Sequence, residues 1–451
     1  MSNAPTPPPP KRRRGLRLTG VRSWTAFVAG VVLVATGAAG FAIAFRMLLG
    51  TAIEGLFGAS DIVAAMHRLP MTARVVVPAL GGLFAGGIGL LIARSASGHG
   101  VGDVMEAVVL GRVRLSMRVT LLKSASSWIA ILCGGSIGRE GPLIQFGGSL
   151  GKVVASQLHL TSKQARVLIA AGTAAGFAAA YNTPFAAVLF VLEIVSGVVT
   201  LDVLIPVSIA TVVATMITRA VVGAGPIYGA RAFSLASPYE LVGYAMLGLL
   251  AALVAQGFMR MLTVVERWLR HPKLRLPLRA AIGGLAAGCV VALLPEVAGN
   301  GYEPLNELLD GRFTFGFVLL LLMGKCLATT ASVASGSPGG VFTPTLLIGG
   351  ALGAACGHAV NVIGLSASAP GTFALVGMAA ATAATTHAPI MAAVMVFELS
   401  TDYAIALPLL LATSIAAAVS RALREDSIYT KELRARGVRW HVTLEGRRIV
   451  D

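Results

Sequence analysis

The stretch GGSIGREGPLIQFGGSLG, residues 134–151, decides the fold, because the chain contains it twice. Two hundred and two positions later stands GSPGGVFTPTLLIGGALG, residues 336–353. At this offset Lys123 falls on Lys325, Gly138 on Gly340, Pro142 on Pro344 and Gly147 on Gly349. A second block follows at an offset of 205, with Gly172 on Gly377, Pro184 on Pro389 and Glu193 on Glu398. Paired hydrophobic segments interrupted by Gly and Pro, one in each half of a chain, point to a transporter's binding site.

The rest of the chain agrees with that reading. Of its 451 residues, 56% are apolar and 12% are charged, too hydrophobic a balance for a soluble domain. Apolar runs at 25–45, 74–93, 240–258, 279–294, 314–330 and 404–420 are of a length to cross or enter a bilayer. Others, such as 165–193 and 372–397, are broken by Gly and Pro. Roughly ten to fourteen membrane-embedded helices are predicted, several short or re-entrant, in an all-α polytopic membrane protein.

The repeat divides the chain into a disordered basic tail (1–23), an N-terminal membrane repeat (24–222), a linker (223–235), a C-terminal membrane repeat (236–424) and a tail (425–451). The net charge of +16 is no nucleic-acid signal. Its cations cluster in the N-terminus, in the loop around 260–279 and in the tail. The positive-inside rule places all three, and therefore both termini, in the cytoplasm of a cell (plasma or inner) membrane protein. The Pro-rich start lacks the apolar core of a secretory signal. The four cysteines are isolated in apolar context, and no His, Cys or acid spacing suggests a metal.

The repeated block carries chemistry. Pro142 suits the first turn of a helix, which is predicted to run from near Gly141 through Leu150. Inside a membrane such a start presents unpaired N–H groups and the positive end of a dipole, which together make an anion site. The second block makes the same case around Val341, Phe342 and Pro344. Glu140 is the anomaly, since a carboxylate at membrane depth is costly and usually functional. At a helix N-terminus it would occupy the anion's own place, and would leave by taking a proton or swinging out. In the other half its counterpart is Phe342. The bland alternative is a helix cap paired with Arg139.

GREGP (138–142), GGVFTP (339–344) and SIY (427–429), in that order on a repeated membrane protein, resemble the ClC chloride channel and transporter family, bacterial type without CBS domains. The resemblance covers about 24–436 and implies a homodimer, each subunit with its own pore, built from two inverted-topology repeats of tilted and re-entrant helices. It implies that Glu140 is the gating glutamate and that Tyr429 closes the pore on the cytoplasmic side. It assigns anion contacts to His99, Gly100, Gly138, Arg139, Gly141, Gly340, Val341, Phe342 and Tyr429, and electrostatic support to Lys123. Chloride is then the transported ion and no cofactor is required.

Two departures from the family pattern bear on function. The usual GSGIP motif aligns with Gly98-His99-Gly100-Val101-Gly102, so His99 stands at the serine position and Gly102 at the proline. Either His99 donates to the anion or it turns aside and leaves backbone alone at the pore. Ile194 stands where exchangers usually carry a second, cytoplasm-facing glutamate. This residue favours passive or weakly proton-coupled chloride movement over the alternative, a chloride/proton antiporter. The missing serine also raises fluoride export, against which GREGP and Tyr429 argue. Glu193 and Glu398 recur symmetrically, which suits a structural role at helix ends. The GGSIG run also fits a hydrolase nucleophile elbow with Ser136 as nucleophile, but its membrane context favours a protein that is not an enzyme.

Overall fold

The computed structural model describes residues 16–92, 100–111, 115–223, 225, 228, 239–270, 274–364, 369–443 and 446–450. The N-terminal half contains α1 (Leu16–Phe57), α2 (Ile62–Arg68), α3 (Met71–Ile92), α4 (Val101–Leu110), α5 (Met117–Leu132) and α6 (Glu140–Gln157). It continues with α7 (Ser162–Tyr181), α8 (Pro184–Leu189), which runs on in wider π-helical turns to Ser196, and α9 (Leu201–Val222). The C-terminal half contains α10 (Glu240–Leu269), α11 (Leu276–Leu293), α12 (Tyr302–Leu309), α13 (Phe315–Ala334), α14 (Phe342–Val362), α15 (Pro370–Thr386), α16 (Pro389–Ser400) and α17 (Ala406–Leu423). A short α18 (Thr430–Ala435) and a hairpin of β1 (Arg439–Thr443) and β2 (Gly446–Val450) close the chain.

Among the described residues, eight helical stretches are long and apolar enough to cross a bilayer. The segments Pro184–Ser196 and Pro389–Ser400 are apolar but too short to span it. The protein is a multi-pass, nearly all-helical membrane protein with two inverted repeats. One boundary differs from that read in the sequence. Helix α1 begins at Leu16, inside the expected disordered tail, while 1–15 lie outside the described residues. Most of the 223–235 linker also lies outside them. The tail (425–451) carries α18 and the hairpin.

Backbone detail repeats with the sequence. Gly100 and Gly301 hold φ of 82° and 96° before α4 and α12, and Asn182 and His387 end α7 and α15 at φ of 58° and 61°. The repeated glycines serve helix packing. A Cβ at Gly147 would collide with the Gly172 carbonyl, and one at Gly349 with the Gly377 carbonyl. Only glycine allows α6 to lie this close to α7, and α14 to α15, the small-residue packing that substitutes for a hydrophobic driving force in lipid.

The two halves meet about a local two-fold axis. Gly138 donates its N–H to the Gly340 carbonyl at 2.7 Å, and Gly340 donates back at 2.8 Å. This antiparallel bridge joins equivalent residues, so the axis passes between them. A second exchange respects the same symmetry. The Glu398 carboxylate accepts from the N–H groups of Phe185 (3.0 Å) and Ala186 (2.7 Å) at the start of α8, and Glu193 accepts from Met391 (2.8 Å) at the start of α16. Each acid caps a helix of the opposite half, which is the structural role the sequence suggested.

Candidate functional site

The N-terminus of α14 is occupied by a carboxylate from α6. Glu140, 1% exposed, accepts at Oε1 from the Phe342 N–H (2.8 Å) and the Thr343 N–H (3.3 Å). Its Oε2 accepts from the Thr343 hydroxyl (2.9 Å). The first turn of any helix has free N–H donors, and here a carboxyl group satisfies them within the protein interior. Thr343 has one hydroxyl hydrogen, so with Glu140 ionised the 2.8 Å contact to Tyr181 requires the phenol to donate. The chain Tyr181–Thr343–Glu140 thus runs in one direction and strengthens the grip on the carboxylate.

Space at the carboxylate comes from the two bridged glycines. A Cβ at Gly138 or at Gly340 would collide with the Glu140 carboxyl oxygens. Both residues were expected as anion contacts. Their N–H groups are committed to each other's carbonyls, so what they supply is room rather than donors. Val341, expected as a donor, stands at the cap position before α14, and the N–H groups that reach the carboxylate belong to Phe342 and Thr343. The pairing with Arg139 on which the bland alternative rested is absent among the described residues. Arg139, 9% exposed, lies over the Tyr302 ring, 5.0 Å from its centroid.

The other expected residues distribute around this centre. Gly141 is buried in the first turn of α6, which begins one residue earlier than expected, and Gly100 caps α4 with its Cα facing the Gly141 carbonyl. His99 lies outside the described residues. Tyr429, 9% exposed, packs edge-on to Phe190 at 6.3 Å, where α18 begins. Burial and the negative charge of Glu140 raise its hydroxyl pKa, so it stays neutral. Lys123 is not a free positive charge. Its ammonium is paired with Asp103 at 3.0 Å.

Asp103 is the hub of a buried network that sequence reading missed. It also accepts from Arg436 at 2.8 Å and from Gln145 at 3.3 Å. Arg436 further contacts Glu106 (3.2 Å) and Glu432 (2.5 Å). The tail that bears Tyr429 is thereby tied to α4. At Gly102, one departure from the family motif, a Cβ would stand 3.0 Å from the Glu432 carboxyl oxygen. Thr343 and Tyr181 were missed as well. The signal for Thr343 was present, as the residue after Phe342 in a predicted helix N-terminus. Ser136 is buried against the Thr329 hydroxyl at 2.9 Å, a partner that supplies no general base for a hydrolase.

Residues 81–421 match the family model described as voltage gated chloride channel. The chain belongs to the ClC family. A protein of Ralstonia nicotianae described as ClcB-like is 38% identical over 397 residues, covering 87% of this chain and 92% of that protein. The voltage-gated ClC-type chloride channel ClcB of Citrobacter koseri is 35% identical, with 88% and 95% covered. Among solved structures, a slow cyanobacterial Cl-/H+ antiporter superimposes with a TM-score of 0.79 at 25% identity, covering 92% of this chain and 98% of that one. A CLC-type fluoride/proton antiporter has a TM-score of 0.71 at 22% identity, with 93% and 98% covered, which shows the shared fold. The protein is therefore a ClC-type chloride channel or transporter.

Proposed function

We propose that this ClC protein moves chloride through a pore that Glu140 closes by occupying the anion's place at the N-terminus of α14, with passive or weakly proton-coupled flux. The observation that carries the reading is the carboxylate bound by Phe342, Thr343 and, through Thr343, Tyr181. Donors aimed at one negative group serve another. When Glu140 takes a proton or swings away, a dehydrated chloride finds the same donors. Permeation makes no covalent bond, so no catalytic residue and no cofactor enter. Tyr429 is the inner gate, with a neutral hydroxyl that can donate to the ion.

Ile194 supports weak coupling. It is 1% exposed, follows the helix-capping Glu193 and carries no proton. The antiporter reading draws on the likeness to the cyanobacterial Cl-/H+ antiporter. Reconstitution in liposomes with a chloride gradient, recording chloride and pH together, decides between them. Chloride movement with little proton movement is expected; protons driven against their own gradient would establish exchange.

The functional unit is a homodimer in the bilayer, with both termini cytoplasmic. Exposed apolar residues on α9 and α17, among them Ile205, Met216 and Leu407, suit contact with lipid or a second copy. Chloride is the small-molecule partner, joined by protons in the antiporter reading, and no nucleic acid is involved.

A further inference from the structure

Helices α10 and α17 run side by side in a register that ends in charge. A Cβ at Gly248 would collide with the Ala412 carbonyl, and Gln256 donates to the Ser420 hydroxyl at 2.7 Å. Both pairs are 164 residues apart, so the two helices run in the same direction. One turn beyond Gln256 and Ser420, the same register brings Arg260 beside Arg424.

The outer face of α10 is layered along its length. Met246, Leu253, Arg260 and Arg267 follow two turns apart on one face, and all four are exposed. The first two are apolar and the last two are cationic. Arg260 stands about 30 Å along the helix from Glu240, the thickness of a hydrocarbon core, and Arg267 about 10 Å further. Trp268, 79% exposed, lies at the depth of Arg267, where indole rings settle between acyl chains and headgroups. Leu410 and Leu423 add exposed apolar surface on α17.

The cations at this corner have no acid of their own. Glu266 is engaged by Arg270 (2.6 Å) and Lys431 (3.1 Å), and Glu425 and Asp426 by Arg434. Among the described residues, Arg260, Arg267 and Arg424 make no ion pair. Arg424 is half-buried, and besides the Asp426 carboxylate its guanidinium feels the charges of Arg260, Arg267 and Arg434. Guanidiniums gathered in this way repel one another, and a group with negative oxygens between them relieves the repulsion.

We propose that this corner binds an anionic phospholipid, its phosphate held by Arg260, Arg267 and Arg424 and an acyl chain laid along Met246 and Leu253. Planar guanidiniums match the paired oxygens of a phosphate. A soluble phosphate would use the arginines alone, and the apolar stripe continuing from them at membrane depth assigns the site to a lipid. With the termini cytoplasmic, as proposed above, the site opens to the inner leaflet, where anionic lipids lie. Binding in detergent depends neither on that orientation nor on transport, so the two readings fail separately.

The test is native mass spectrometry of the intact protein in a neutral detergent, titrated with phosphatidylglycerol or with phosphatidylcholine of equal chain length. Wild type should hold phosphatidylglycerol more tightly. Its affinity should fall about fivefold in Arg260→Gln and in Arg424→Gln, and about 25-fold in the double variant. Arg312→Gln removes a charge from a residue paired with Asp310 at 3.6 Å, outside this corner, and should change nothing. Equal affinity of wild type for the two lipids, or a phosphatidylglycerol affinity indifferent to both arginines, would overturn the site. Displacement by glycerol phosphate as effective as by phosphatidylglycerol would give the arginines to a soluble anion and refute the lipid. A change of oligomeric state with lipid affinity intact would give the face to a second copy, and refute it too. If the glutamine variants lose monodispersity, the wild type decides. Its phosphatidylglycerol affinity should weaken steadily as ionic strength rises, and a flat response refutes capture by charge.

Discussion

Replacing Glu140 by alanine removes a tethered competitor for the anion site, and the size of the effect follows from its contacts. Oε1 accepts from Phe342 at 2.8 Å and Oε2 from the Thr343 hydroxyl at 2.9 Å. Hydrogen bonds to a charged group contribute about 1.5–3 kcal/mol each. Counting these two alone, and setting aside the longer bond and the dipole, the carboxylate is held by at least about 3 kcal/mol. Ordering the glutamate side chain offsets about 1.5 kcal/mol of this. The net is on the order of tenfold in an equilibrium constant, rising to about a hundredfold if the side chain is already ordered. Glu140→Ala should therefore tighten chloride binding by ten- to a hundredfold. Isothermal titration of the purified protein near pH 7.5 reads that constant directly. Liposome flux from about pH 4.5 to about pH 7.5 supplies the second readout, because protonation removes the charge that competes. Wild-type flux should rise as pH falls, and Glu140→Ala should be fast and flat. An unchanged binding constant together with a retained pH profile would refute the argument.

Other expectations follow from neighbouring contacts. Tyr181→Phe deletes the phenol that donates to Thr343, a net loss of about 1 kcal/mol, and should raise neutral-pH flux about fivefold in liposomes. Arg436→Gln leaves Asp103, Glu106 and Glu432 short of a buried partner; thermal unfolding in detergent should show a loss of about 3–5 kcal/mol. Gly147→Ala drives a methyl into the Gly172 carbonyl and should cost about 1–3 kcal/mol, seen as a lower melting temperature, whereas Gly40→Ala, with open space around it, should be neutral. Tyr429→Phe should leave the pH profile unchanged up to about pH 10, since burial and the charge of Glu140 keep the phenol neutral throughout that range.

Local chemistry was legible in the sequence, and assembly was not. The repeat, the helix starting beside Pro142 and the isolated carboxylate of Glu140 follow from composition, spacing and the cost of charge in a membrane. The bridge between Gly138 and Gly340 does not, because it depends on how the halves face each other. The same holds for Lys123, whose charge is offset by Asp103 from a helix with no sequence link to it. Tyr181 stands more than 160 residues from Thr343, and only the packing of α7 on the start of α14 reveals the pair. Arg436 sits in the C-terminal tail, far along the chain from α4, yet it binds α4 through two buried carboxylates. Long-range polar partners of this kind leave no periodic mark on the chain.

The account stands on one substitution of a bound anion for a carboxylate. A crystal of Glu140→Ala soaked in bromide should give an anomalous peak within hydrogen-bond distance of the Phe342 and Thr343 N–H groups. A variant that still conducts chloride but holds no bromide at the start of α14 would contradict it.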